Sequence, residues 1–392
     1  MNDFDVLIIG GGAAGCYCAI HAAQLGLSVA ILERNHSIGA KIRVSGGGRC
    51  NLTNLYIAPE AYLSSNPNFV RSALARHTQW DFLTWLESHH LKTEEKTLGQ
   101  LFCVQKSRGI LAVLGQALIK HQVTVITDCT VTKLEKNSQG YCVESNQGQY
   151  QGIQCVIACG GPSFPKLGAT DSALHFAKQL QIANIPFRPA LVPFTLRSPQ
   201  TELAGISTEV IVQTENAPSF RENLLYTHRG LSGPAILQIS SYWQKGNPIY
   251  VDYLPDLATD FLLQEKQQRP RQTLVSILKR HLPSKLAEYF SVNYPESLQH
   301  YSNACLQKLS KQLHSTQFYP SGTEGMKKAE VSTGGIDTRQ LNPRTFEIKS
   351  HLGLYAIGEA VDVTGWLGGY NFQWAWSSAW CCAQALSRYQ AP

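Results

Sequence analysis

Gly10, Gly12 and Gly15, with Glu33 about 20 residues further on, have the types and spacing that hold a dinucleotide. The first glycine permits a tight turn, the second lets backbone approach a diphosphate, and the third lets a helix pack closely on the preceding strand. Ala13 and Ala14 would open that helix, whose free amides favour phosphate charge. Glu33, followed by Arg34, ends the next strand and can accept hydrogen bonds from both ribose hydroxyls. A GxGxxG is often no more than a flexible turn. Here it follows an apolar run, opens a helical pattern and has its acid in place, which favours the dinucleotide.

The same fingerprint serves NAD and FAD, so the choice rests on other segments. Leu354 to Asp362, with Gly358 and Glu359 between them, is a strand ending in acids that can grip the hydroxyls of a ribityl chain, which NAD lacks. An ordinary strand with a Gly-Glu turn would look alike. Gly368-Gly369-Tyr370-Asn371 precedes an apolar helix, so its amides can face an anionic flavin edge, unless the glycines serve only to let that Trp-rich helix pack. In Ser45-Gly46-Gly47-Gly48-Arg49-Cys50-Asn51-Leu52-Thr53-Asn54, the glycine amides suit an anion nest and Arg49 and the nearby Lys41 add charge. Asn51, Thr53 and Asn54 offer donors and acceptors for a ring. The competing reading is a mobile surface loop. Cys155 to Ala158 reads as a strand running into Cys159-Gly160-Gly161, a further backbone turn beside the cofactor. Together these segments predict FAD.

The elements that must position these residues alternate as an α/β chain: strand Val6 to Ile9, helix Ala13 to Leu25, strand Val29 to Leu32, then strands at Val123 to Thr127 and Tyr141 to Ser145 and a helix at Asp171 to Leu180. Prolines at 186, 189 and 193 introduce alternating segments such as Thr208 to Gln213. Between Asp260 and Leu313 the apolar spacing turns helical, and strand and glycine chemistry returns from about Lys327. The predicted fold class is α/β: a two-dinucleotide-binding-type Rossmann FAD domain over 1–187 and 323–392, split by a β-barrel-like insert over 188–259 and a small helical domain over 260–322.

With 392 residues, 43% of them hydrophobic, the chain can bury several cores. No run reaches the roughly 20 apolar residues that span a bilayer, and no basic leader precedes the first strand, so a cytoplasmic protein without membrane attachment is expected. Eleven cysteines without a CxxC pair suggest neither a disulfide framework nor a metal site. The formal charge of +6 suits an anionic cofactor as well as nucleic acid.

The runs IIGGGAAG, VSGGGRCNLTN, ACGGPSFPKLGATD, THRGLSGPAIL, VSTGGID and GLYAIGEAVDVTGWLGGYNFQWAW, spread over nearly the whole chain, closely resemble the bacterial YhiN/BaiN-type flavoproteins, NAD(P)/FAD-dependent oxidoreductases. The resemblance implies that Gly10, Gly12 and Gly15 hold the pyrophosphate, Glu33 the adenosine ribose, the backbone of Val131 the adenine edge and Asp362 the ribityl chain. It also implies that the SGGGRCN and GGYN segments surround the flavin ring, and a three-part architecture. Asp171 departs from the glycine common in the family.

For function, the resemblance offers reduction of conjugated C=C bonds in steroid-like ketones or oxygen-dependent oxidation of small amines. A second GxGxxG is absent, so NAD(P)H would visit transiently as electron donor, or the substrate itself would reduce the flavin. The leading expectation is an NAD(P)H-linked reductase of a small-molecule substrate, with amine oxidation second. An RNA-associated flavoprotein, gripping nucleic acid through Lys279, Arg280, Lys285, Lys308 and Lys311, is the reading of another class, set behind because such charges are usually a solvated face and no aromatic-plus-basic motif accompanies them. Since a flavin carries its own redox chemistry, no triad is expected, and His228 and Tyr370 are the candidates for moving a proton.

Overall fold

The computed structural model describes residues 2–388, which divide into one unit of residues 2–188 and 330–388 and a second of Pro189–Ala329. At the centre of the first unit is a seven-stranded sheet. Its order runs Thr124–Ile126, Val29–Leu32, Asn2–Ile9, Gly148–Ile157, Gly140–Ser145 and Val131–Asn137, and Leu354–Ala356 also pairs with Gly148–Ile157. Val6, Leu7, Ile8, Ala30, Ile31, Val156 and Ile157 have no exposed surface. Strands buried on both faces read as continuous apolar runs, and here they pair in parallel, Val6 opposite Val29 and Ile8 opposite Val156. The first strand begins four residues before the apolar run, because Asn2 to Phe4 continue the ladder against Tyr150 to Gly152.

Gly148–Ile157 belongs to two systems. Its first half closes a hairpin with Gly140–Ser145, and its second half takes the late strand Leu354–Ala356 in parallel. The helix Ala13–Gln24 follows the first strand, and the final helix Tyr370–Leu386 packs against it. Three helices not expected from the sequence, Val70–Arg76, Gln79–Ser88 and Lys106–Lys120, fill the stretch between the glycine run and the strand Thr124–Ile126. Beside them the NLTN end of that run is itself a strand, Asn51–Asn54, in a small sheet with Gln100–Cys103 and Thr93–Glu95.

The second unit holds another seven-stranded sheet, ordered Thr316–Phe318, Ile249–Asp252, Ser207–Gln213, Phe220–Thr227, Gly230–Ser232, Phe194–Thr195 and Gly322–Thr323. The helices Phe261–Gln268, Leu274–Leu278, Ser284–Ser291 and Asn303–His314 follow the strand Ile249–Asp252 and precede Thr316–Phe318, its neighbour in the same sheet. The amide of Tyr253 donates to the carbonyl of Leu313, and His314 pairs with Asp252 at 3.0 Å. The β and helical segments therefore form one body that ends near 329, instead of two domains ending at 322. Among the described residues no helix is long and apolar enough to cross a membrane.

Candidate cofactor site

The glycine turn at the end of the first strand is built so tightly that side chains are excluded at two of its positions. Gly10 has φ +111°, and a Cβ there would stand 2.6 Å from the carbonyl oxygen of Ala158. A Cβ on Gly15 would lie 1.9 Å from the carbonyl oxygen of Gly10, so helix and turn are in backbone contact. At Gly12 the space is open, with nothing within 4 Å of the Cβ position. Gly12 caps the helix Ala13–Gln24 without any side-chain hydrogen bond, leaving the amides of the first turn, including Ala13 and Ala14, for an outside acceptor. Open space in front of free amides is what a diphosphate requires, and these residues fit FAD at that end.

Glu33 is buried at the tip of Val29–Leu32. One carboxylate oxygen accepts the amide of Gly11 at 2.6 Å, and the other accepts the backbone and side-chain N–H groups of Asn35, both at 2.8 Å. The acid is thus fixed beside the glycine turn, where remaining lone pairs can meet ribose hydroxyls. The backbone of Glu33 exchanges bonds with Ile126 and Cys129, which brings the start of Val131–Asn137 to the same edge. Arg34 turns aside to the Ser172 hydroxyl at 3.4 Å.

The C-terminal acids reach the turn from the other end of the chain. Gly358, with φ +63°, lies against Ala14: a Cβ there would come 2.9 Å from that of Ala14. Its N–H donates to Ser378 and its carbonyl accepts the Trp374 indole. Glu359 then meets Lys41 at 2.7 Å, and the lysine also donates to Ser163 at 2.6 Å. The second oxygen of Glu359 accepts the amide and hydroxyl of Ser332 at 2.9 and 2.8 Å. Burial alone would raise this carboxyl, but the Lys41 charge and the hydrogen bonds from Lys41 and Ser332 hold it below the ordinary glutamate range. The charge of Lys41 is therefore directed at Glu359 and away from the glycine run. Gly160 sits 3.9 Å from Glu359 by its Cβ position. Asp362, also buried, accepts the amide of Ser65 at 2.9 Å.

The two segments expected around the ring do come together. With the Asn51 amide oriented as its neighbours require, its oxygen accepts the Gly369 N–H at 3.2 Å, and Asn54 donates to the Gly368 carbonyl at 2.9 Å. Gly369, at φ +101°, admits the carbonyl of Thr53, which would stand 2.3 Å from a Cβ. Thr53 donates to Gln373 at 2.6 Å, one turn into the final helix. The residues Gly46, Gly47 and Gly48 all have positive φ and form a short turn from which Arg49 extends over the Phe102 ring at 5.6 Å. Asn371 clamps the backbone of Gly365 with both ends of its amide, at 2.8 Å each. Tyr370 is buried and donates to the Tyr56 carbonyl at 3.3 Å. His228 is exposed in the second unit, in the turn from Phe220–Thr227 to Gly230–Ser232, where Thr227 accepts the amides of Arg229 and Gly230.

The sequence reading assigned no role to Ser163, Ser332, Ser65 or Gln373, the partners that fix Glu359, Asp362 and Thr53. Ser163, Ser332 and Gln373 lie inside the runs ACGGPSFPKLGATD, VSTGGID and GLYAIGEAVDVTGWLGGYNFQWAW that carry the family resemblance, which is the signal available for them. Among the described residues no group of histidines, cysteines and acids is arranged to hold a metal ion, and all eleven cysteines are free.

Comparison with known proteins covers almost the whole chain. The family described as HI0933-like protein Rossmann domain matches residues 4–385. A protein of Escherichia coli strain K12 named ribosomal RNA dihydrouridine synthase is 46% identical over 394 residues, 98% of each chain. The 3-dehydro-bile acid delta(4,6)-reductase of Clostridium scindens is 29% identical over 97% of this chain and 98% of its own. Among solved structures, the 3-ketosteroid-delta4-(5alpha)-dehydrogenase of Rhodococcus jostii RHA1 shares the fold, with a TM-score of 0.50 at 13% identity over 97% of each chain.

Proposed function

The chain belongs to the HI0933-like Rossmann family and is an FAD-dependent oxidoreductase, and we propose that it reduces the C5=C6 bond of uridine in ribosomal RNA, with NAD(P)H as electron donor. The observation that carries this reading is the 46% identity, end to end, to a ribosomal RNA dihydrouridine synthase. The chemistry of the more distant bile-acid reductase supports it. In uridine, C5=C6 is conjugated with the C4 carbonyl, as the bonds of a delta(4,6) 3-ketone are conjugated with theirs. Both reductions add hydride to the carbon remote from the carbonyl and a proton to the carbon between. Small-molecule enones and ribosomal uridine are thus one reaction class with different pockets around it.

When bound, the flavin supplies the hydride. The protein's work is to hold, orient and shield. The amides after Gly12 would take the pyrophosphate and Glu33 the adenosine ribose, with Val131 at the adenine edge. Asp362, beside Ser65, would face the ribityl hydroxyls, and Glu359 would brace that wall through Lys41 and Ser332. The joined SGGGRCN and GGYN segments would border the ring. Gly160 and Ala158 would complete the floor under the diphosphate.

Unmodified ribosomal RNA made by transcription, incubated anaerobically with the FAD-loaded protein and NADH or NADPH, should gain dihydrouridine, read by mass after nuclease digestion. Reoxidation of the reduced protein by conjugated ketones but not by RNA would shift the assignment to a small-molecule reductase. Reoxidation by neither would overturn the C=C reductase reading altogether.

A further inference from the structure

On the outer side of the glycine run, the small sheet of Asn51–Asn54, Gln100–Cys103 and Thr93–Glu95 presents side chains that its own packing does not require. Tyr56 is 65% exposed, its ring resting on Gly99, where a Cβ would stand 2.7 Å from it. Leu98 has φ +58° and is 57% exposed, so a leucine is held in the left-handed region with its side chain in water. Both features are unfavourable, and such outliers gather where a surface is used.

Positive charge surrounds this apolar tip. Arg49 and Lys96 both set their charged ends over the buried Phe102 ring, at 5.6 and 4.9 Å, which gathers two positive charges on this face. The glycine turn and the small sheet, with the helix Ala40–Val44 before them and the start of Lys106–Lys120 after them, carry Arg43, Arg49, Lys92, Lys96, Lys106 and Arg108 against Glu94 and Glu95, the former paired with Lys96 at 3.1 Å. Asn54 links this face to the candidate cofactor site, donating to Leu98 and Gly368 through the same amide nitrogen. On the helices of the second unit Lys279 is likewise paired with Glu288 at 2.6 Å and Arg280 with Glu265 at 3.3 Å.

We propose that the Tyr56–Leu98–Lys96–Arg49 face is the docking surface for single-stranded RNA, which it presents to the flavin ring region. This inference rests on the ribosomal RNA reading above. RNA bases are read when splayed out of the helix and stacked on aromatic rings, while cations track the phosphates. Tyr56 supplies the ring, Leu98 an apolar wedge beside it, and Arg49 and Lys96 the charge. The surface adjoins GGYN, so a nucleotide held on Tyr56 leaves its neighbour at the segment bordering the flavin.

The test compares binding of transcribed, unmodified ribosomal RNA to FAD-loaded parent, to Tyr56→Ser/Lys96→Gln, to Lys96→Gln alone, and to Lys285→Gln/Lys308→Gln, as a function of salt. Flavin content and circular dichroism confirm folding. The double variant should bind about ten-fold or more weakly, the scale of one lost stacking contact, with FAD content as in the parent. Lys96→Gln, a surface change that spares the fold, should lower the slope of log K against log salt by roughly 0.7. Parental binding by the double variant and a parental slope for Lys96→Gln would overturn the docking surface while leaving the function intact, as would loss of binding confined to the Lys285/Lys308 variant. Failure of the parent itself to bind would overturn the ribosomal RNA reading and this inference with it.

Discussion

Lys41 and Glu359 are 318 positions apart in sequence and 2.7 Å apart in space. Neither was expected to face the other; each was expected to touch cofactor. A half-buried pair with three further donors on the carboxylate leaves a charge poorly solvated when one partner goes. Lys41→Met and Glu359→Gln should each lower unfolding free energy by about 1 to 3 kcal/mol at pH 7, measured in urea. The folded pKa of Glu359 is depressed, so the pair's contribution is complete above the ordinary value of 4.5 and is lost as pH falls through the depressed one. The gap between parent and Glu359→Gln should therefore close toward acid pH. A gap that widened there would mean that Glu359 is not held as the anion.

At the level of elements, the glycine turn separates two roles that one motif had fused. Gly12→Ala adds a methyl where the structure has open space, and Gly15→Ala adds one 1.9 Å from a backbone oxygen. Gly12→Ala should thus fold with parental circular dichroism yet purify with little FAD, whereas Gly15→Ala should lose both cofactor and thermal stability. Equal FAD content in Gly12→Ala and parent would move the diphosphate elsewhere. The turn was legible because strand, glycines, helix and acid are local. The strand Val29–Leu32 was read residue for residue, its four side chains being buried on both faces. Lys106–Lys120 was missed although Ile110, Val113, Leu114, Ala117 and Leu118 recur at helical spacing, since Gly109 and Gly115 interrupt it. Gln79–Ser88 begins with a capping box closed by Thr78 and Asp81, with aspartate where glutamate is the usual signal. Asn51–Asn54 could not be read as a strand, because polar residues become one only through a partner about fifty positions later. The same holds for Glu359: its setting depends on serines whose approach is tertiary.

In the whole molecule, the second unit leaves and rejoins the first through neighbouring strands. Asn184–Ala190 pairs with Val331–Ile336, and Thr333 meets Arg188 while Asp337 meets Ala183, so the two run in opposite directions. Residues 189–329 begin and end at the same end of this ribbon. Replacing them by a short glycine-serine linker should give a folded protein that still binds FAD, checked by absorbance after gel filtration. A soluble, folded product without flavin would show that the second unit contributes to the cofactor site. The ribbon and its flanking pieces also set an order in time. The strand Leu354–Ala356 and the helix packed on Ala13–Gln24 leave the ribosome after every residue of 189–329. During translation the inserted unit is complete while the first unit still lacks one strand and the cover of its first helix. A nascent chain of this protein thus carries an open parallel edge and a bare apolar helix face until that strand and helix have emerged, and chaperones that shelter such surfaces have their opportunity on the half that was made first.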